Sequence, residues 1–190
     1  MNKHQNRIIS ILRIVPVVAA LFILSACAHV QDASQEKNRI VKVGEGIYRG
    51  PRLDDLSELQ SLKVRTILNL EDSSEAVQKE SETARKLGIT MISIPMSQIF
   101  RPRQSDLLLA VKTLEDRRLY PIYVHCLRGR DRTGFVIAAY KILHEGWTVE
   151  KAYEEAVENG HNTWFYDAIL GWKECLLVIA SAKADVRTIP

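Results

Sequence analysis

The stretch Ile122-Tyr123-Val124-His125-Cys126-Leu127-Arg128-Gly129-Arg130-Asp131-Arg132-Thr133 decides how this chain reads. Ile122–His125 is a short apolar run after Pro121, the pattern of a buried strand. From Thr133 to Glu145 the chain is apolar nearly all round, the pattern of a helix in the middle of a domain. The loop between them leaves a strand and enters a helix, a geometry that turns backbone N–H groups inward as an anion nest. The helix N-terminus adds about half a positive charge. Gly129 supplies the freedom that a tight turn needs, and Arg128, Arg130 and Arg132 add charge. Cys126 opens the loop in this positive potential, which favours its thiolate. The same cradle suits a phosphate dianion with its phosphorus against the sulfur.

Outward from this loop, strand and helix patterns alternate. Ile40–Val43 and Ile47–Arg49 read as strands around Gly44 and Gly46, and Thr66–Leu70 and Ile89–Ile94 as two more. Asp54 or Asp55 can cap a short helix reaching Leu62. Glu75–Leu87 is a polar helix closed by Gly88. Ser105 can cap the next, with Leu107, Leu108, Val111 and Leu114 as its apolar face. Val149, Ala152, Tyr153, Ala156 and Val157 share a further helix. Phe165, Ala168, Ile169, Trp172, Cys175, Leu176 and Ile179 form one stripe on the last. The expectation is an α/β fold: a single domain over residues 39–185, with a mostly parallel central sheet flanked by helices.

A chain of 190 residues with 46% apolar and 26% charged residues can bury a full core, which excludes disordered and low-complexity classes. Three cysteines exclude a disulfide scaffold, and five scattered histidines make no metal-ligand cluster. Of the 26 Lys and Arg, three (Lys3, Arg7, Arg13) lie in residues 1–26, which hold no acid. The other 23 balance the 23 Asp and Glu, so charge gives no support for a nucleic-acid partner. The basic start, the 11-residue apolar run Ile14–Leu24 and the small residues after it describe a secretory signal. Leu24-Ser25-Ala26-Cys27 resembles a bacterial lipobox. That resemblance implies a signal peptide over 1–26, lipid on Cys27 and a polar tether over 27–38. With Ala28 next, it implies a location in the cell envelope, at the outer membrane facing the periplasm.

His125-Cys126, five residues, then Arg132-Thr133 resembles the signature of the cysteine-dependent protein tyrosine phosphatase superfamily. Ile47-Tyr48-Arg49-Gly50 and Val64–Leu70 are similar to the atypical dual-specificity phosphatases and to the tyrosine-phosphatase-like phytases, which act on inositol polyphosphates. The resemblance implies a cysteinyl-phosphate intermediate on Cys126, with Arg132 holding two phosphate oxygens and the backbone of Leu127, Arg128, Gly129 and Arg130 joining it. Thr133 would assist the leaving thiolate, His125 would order the loop, and neither metal nor cofactor is called for. A Cys–His dyad is not expected, since neighbours in an extended segment point to opposite faces.

The family's general acid, an Asp on the loop after the strand ending at Ile94, has no counterpart here: Pro95–Gln104 holds no carboxylate. Asp131 and Asp106 are the candidates. Asp131 has a structural alternative, an ion pair with Arg128 or Arg130, and Asp106 has another in a helix first turn. Arg128 and Arg130, with Arg101 and Arg103, suit a ligand carrying several phosphates, or form a solvated surface. The expected substrate is therefore a phosphorylated small molecule of the inositol polyphosphate kind, acted on by a monomer. The alternatives are a protein tyrosine or dual-specificity phosphatase and a non-catalytic binder of phosphorylated ligands. Sulfur transfer is disfavoured by the five-residue gap to Arg132.

Overall fold

The computed structural model describes residues 39–187, with side chains to residue 182. The proposed signal peptide, tether and lipidated Cys27 lie outside the described residues. The strands are β1 (Val41–Gly44), β2 (Ile47–Pro51), β3 (Thr66–Asn69), β4 (Thr90–Ser93) and β5 (Ile122–Cys126). They form one sheet in the order β1-β2-β5-β3-β4, with every pair parallel except the β1–β2 hairpin. β5 is central: Pro51 of β2 lies beside Cys126, and Asn69 of β3 beside His125. All five β5 residues are buried, as expected of a strand covered on both faces.

Alternation along the central strands divides two cores. Ile67 and Tyr123 pack with Leu56, Leu59 and Ala84 under α1 (Ser57–Ser61) and α2 (Ser74–Lys86). Leu68, Ile122, Val124 and Cys126 face the larger core. That side is covered by α3 (Gln104–Glu115), α4 (Asp131–Tyr140), α5 (Val149–Glu158) and α7 (Trp172–Arg187), with the short α6 (Thr163–Tyr166) between the last two. Nine residues of α4, Arg132 to Tyr140, are buried, so it is indeed the helix inside the domain. Burial of each large apolar side chain of this kind stabilises by about 1.5–3 kcal/mol.

Several local expectations are corrected. α3 starts at Gln104 with Arg103 at its N-cap, so Ser105 lies inside the first turn and does not cap it. The buried face of α3 is Leu107, Ala110, Val111 and Leu114, while Leu108 is exposed. Asp55 accepts from the Ser57 N–H at 2.9 Å, but the N-cap position of α1 is Leu56. The long helix from Thr133 is α4 followed by a π turn at Lys141–Glu145. The C-terminal stripe is not continuous. Gly171 adopts φ +62° between α6 and α7, and Ile169 is exposed. The break there keeps the apolar spacing in sequence but interrupts the helix that would have aligned it.

Candidate active site

β5 delivers Cys126 to the carboxyl edge of the sheet, where ligands of parallel α/β folds bind. The loop then turns through Gly129 into α4 at Asp131. Its carbonyls are held from behind. The N–H of Arg52 donates to the Cys126 oxygen at 2.9 Å and lies 3.4 Å from the Leu127 oxygen. Nη2 of the buried Arg49 donates to the Gly129 oxygen at 3.0 Å and reaches the Arg130 oxygen at 3.5 Å. A trans peptide points its C=O and N–H in opposite directions. The N–H groups of Leu127, Arg128, Arg130 and Asp131 therefore face away from these supports, into the cradle. Among the described residues, no N–H from Leu127 to Arg130 donates to another backbone group.

Arg49 was not singled out as a site residue from sequence. It is 2% exposed and ion-paired with Glu155 at 3.5 Å, and Glu155 also meets Lys141 at 3.3 Å. Burial pulls the Arg49 pKa below its ordinary value, and Glu155 opposes that shift.

Gly129 sits at φ +66°, and a Cβ there would collide with the Gly50 backbone and lie 2.7 Å from Pro51 N. Gly129→Ala is expected to lose about 1–3 kcal/mol of stability, read by denaturant unfolding, and to lower turnover by spreading the loop.

Arg132 is buried at the base of the cradle. Its Nη1 donates to Asp72 Oδ1 at 3.0 Å, to the Met96 oxygen at 3.0 Å and to the Leu70 oxygen at 3.3 Å. Nε and Nη2, the edge of the fork suited to two phosphate oxygens, make no hydrogen bond with another described residue. Asp72 was missed in sequence, where it is an unremarkable acid between β3 and α2. The one available signal was its place just after a buried parallel strand, at the edge where functional loops gather. It also accepts from the Gln98 N–H at 3.4 Å, tying the Arg132 anchor to the loop after β4.

The residues around the loop separate into groups. His125 Nε2 lies 3.1 Å from Glu80 Oε2, and the ring stacks on Tyr123 at 5.4 Å, on the face opposite Cys126. Glu80 accepts from Asn69, Asn69 accepts from the Glu71 N–H at 2.6 Å, and Glu71 pairs with Arg52 at 3.0 Å. This chain runs back to the residue that holds the Cys126 carbonyl. Thr133 is fully buried and its Oγ1 has no hydrogen-bond partner.

Asp131 does not pair with Arg128 or Arg130. Its Oδ1 accepts from the Asn162 N–H at 2.8 Å and lies 3.3 Å from His161 Nδ1. Asp106 is engaged by Arg103 at 2.8 Å. Arg101 donates through Nε to the Leu170 oxygen at 3.0 Å and keeps its charge, while Arg103 is ion-paired with Asp106. Arg130 packs over Gly160, leaving Arg128 as the exposed arginine of the loop. Tyr166 packs on Trp172 at 4.5 Å, while Trp164 is exposed. Cys126 and Cys175 are free thiols, and burial pushes the Cys175 thiol up. Among the described residues, no group of three or more His, Cys, Asp and Glu side chains is placed to hold a metal ion.

A cysteine at the end of a central parallel strand, an amide cradle and a buried arginine closing it define a cysteine-based phosphatase. Residues 37–161 match a family model described as "Tyrosine phosphatase family", and the chain belongs to that family. It is 29% identical over 168 residues to "Inositol diphosphatase DSP3" of Arabidopsis thaliana, covering 80% of each chain. The fold is shared with the crystal structure of P. aeruginosa TpbA at a TM-score of 0.62 and 22% identity, covering 76% of this chain and 90% of that one. It is also shared with the core catalytic domain of the PP-IP phosphatase SIW14 from S. cerevisiae at 0.62 and 23%, covering 80% and 94%.

Proposed function

We propose that this enzyme hydrolyses phosphate from inositol polyphosphates through a cysteinyl-phosphate on Cys126. The observation that carries the mechanism is the cradle: inward N–H groups around Cys126, with the Nε/Nη2 edge of Arg132 uncommitted. The Cys126 thiolate attacks phosphorus, forming a P–S bond as the P–O bond to the leaving group breaks. Water then cleaves the P–S bond and releases inorganic phosphate and the thiolate, which the Thr133 hydroxyl can stabilise. Arg132 and the loop amides carry the charge on the transferring phosphoryl group.

Two features support the substrate class. One is the similarity to an inositol diphosphatase. The other, the loop Pro95–Gln104 without a carboxylate, favours those members of the class whose terminal phosphate is held by a phosphoanhydride. A phosphoanhydride expels a phosphate, a far weaker base than an alkoxide, and asks little of a general acid. For ester substrates the two candidate acids are both already engaged: Asp106 pairs with Arg103, and Asp131 accepts from the Asn162 N–H and lies beside His161. The lipobox-like residues 24–27 support an envelope location with the domain tethered through lipid on Cys27. The protein-phosphatase reading is favoured by the likeness to "Dual specificity protein phosphatase TpbA" of Pseudomonas aeruginosa, at 22% identity over 172 residues.

Phosphate release would be compared for inositol hexakisphosphate, a diphosphoinositol polyphosphate, a phosphotyrosine peptide and an aryl phosphate. The inositol substrates are expected to exceed the peptide in kcat/KM by about tenfold or more, a difference of about 1.4 kcal/mol. Preference for the peptide would overturn the substrate assignment.

A further inference from the structure

His161 has no motif around it, yet it sits directly behind the phosphate loop. It is 8% exposed. Its Nδ1 lies 3.3 Å from Asp131 Oδ1, and its Nε2 lies 3.4 Å from Asp167 Oδ1. Asp167 is itself held by the Tyr153 hydroxyl at 2.6 Å. The ring is walled by Tyr166 at 5.6 Å and Trp172 at 6.2 Å. The next residue, Asn162, donates its N–H to the same Asp131 oxygen and caps α6 by accepting from Phe165 N–H. Of two adjacent residues of the α5–α6 connection, Asn162 thus hydrogen-bonds the carboxylate that immediately precedes Arg132, and His161 lies at ion-pair distance from it.

We propose that His161 is a positioning residue for the phosphate loop: as an imidazolium between Asp131 and Asp167 it fixes the Asp131 end of the loop, and turnover falls when it loses its proton. A neutral imidazole has one N–H and no net charge, whereas the imidazolium carries an N–H on each nitrogen and a charge that attracts both carboxylates. Loss of the proton therefore releases one side of the clamp. The released side is either Asp131, and with it the start of α4, or the Asp167 anchor that holds the ring in place.

The groups facing His161 from each packed element are Asp131 on α4, Tyr153 on α5, and Tyr166 and Asp167 at the end of α6. Lys173 on α7 lines the same small cavity, Glu174 acts on Tyr153, and Arg130 packs over the neighbouring Gly160. Burial disfavours the charged ring, but the Asp131 and Asp167 carboxylates together outweigh it, and the pKa is raised above the ordinary 6.5. The stabilisation from the clamp is thus complete below that ordinary value and is lost as pH rises through the raised one.

This inference rests on the phosphatase reading of the loop, so the test has one arm that needs no turnover. In the full chain, the His161 Cε1 proton is followed by NMR against pH in the parent and in Asp167→Asn. The parent is expected to titrate above 6.5, and the variant at a lower pH. Titration of the parent at or below the ordinary value overturns the proposal, and this arm stands even if the variants fold poorly. In the second arm, kcat/KM for an aryl phosphate is measured against pH. Asp167→Asn is expected to move the alkaline limb to lower pH. His161→Asn is expected to lose about 10–100-fold, with no limb attributable to a histidine. A residue with a merely structural role would scale the whole profile by one factor, and that result overturns the proposal.

Discussion

Cys126→Ser is expected to reduce phosphate release by about 10⁴-fold or more. The thermal unfolding midpoint should stay close to that of the parent. The side chain is 3% exposed and packs in the larger core, but Ser differs from Cys by one atom and leaves Gly129, Arg49 and Arg132 in place. A hydroxyl is a far poorer nucleophile than a thiolate in the same cradle, so binding survives while bond formation does not. Isothermal titration with inositol hexakisphosphate, set beside a turnover assay, separates the two. Residual turnover near the parent's would mean that the sulfur is not the nucleophile.

Arg49→Ala is expected to be the most destabilising single change near the site, at about 3–5 kcal/mol, measured by urea unfolding. The guanidinium is the buried donor for the Gly129 and Arg130 carbonyls and the partner of Glu155. Its loss leaves polar groups unpaired inside the protein. The remaining Lys141–Glu155 contact at 3.3 Å shares the burden and places the effect toward the lower end of that range. Because the same carbonyls orient the inward N–H groups, turnover should fall along with stability. Arg49→Lys keeps a charge but cannot span both carbonyls and Glu155, so it should recover part of the stability and little of the activity.

The chain's local chemistry was largely legible from residue order. The run Ile122–Cys126, the loop to Arg132 and the apolar helix after it are contiguous, and each follows from periodicity or from backbone sterics. Gly129 illustrates this. A glycine in a strand-to-helix turn signals an unusual backbone, and the structure places it at φ +66°. Gly88, read as a helix stop, likewise adopts φ +72° after α2. The parallel sheet was expected from strand and helix patterns that alternate, and β2, β5, β3 and β4 do pair in parallel.

Errors arose where one periodic pattern had two structural readings. The stripe Phe165–Ile179 has helical spacing throughout, but Gly171 breaks it between α6 and α7. Spacing records which residues are apolar, not whether the chain stays straight. In α3, Leu108 obeys the pattern yet is exposed, and Ala110 stands on the buried face with Leu107, Val111 and Leu114.

By itself, then, the sequence determined the α/β class, the strand–loop–helix that carries Cys126 and Arg132, and the absence of a carboxylate on the loop after β4. All of these depend on residues adjacent in the chain, where covalent geometry and local sterics act. Only the tertiary structure decided what holds that loop. Arg49, 80 residues before Gly129, grips its carbonyl; Asp72, 60 residues before Arg132, anchors its guanidinium; His161 reaches Asp131. These partners meet because the order β2-β5-β3 places their strand ends side by side and the helices fold over them. A buried charge needs a partner wherever the fold brings one, and sequence distance carries no record of that need.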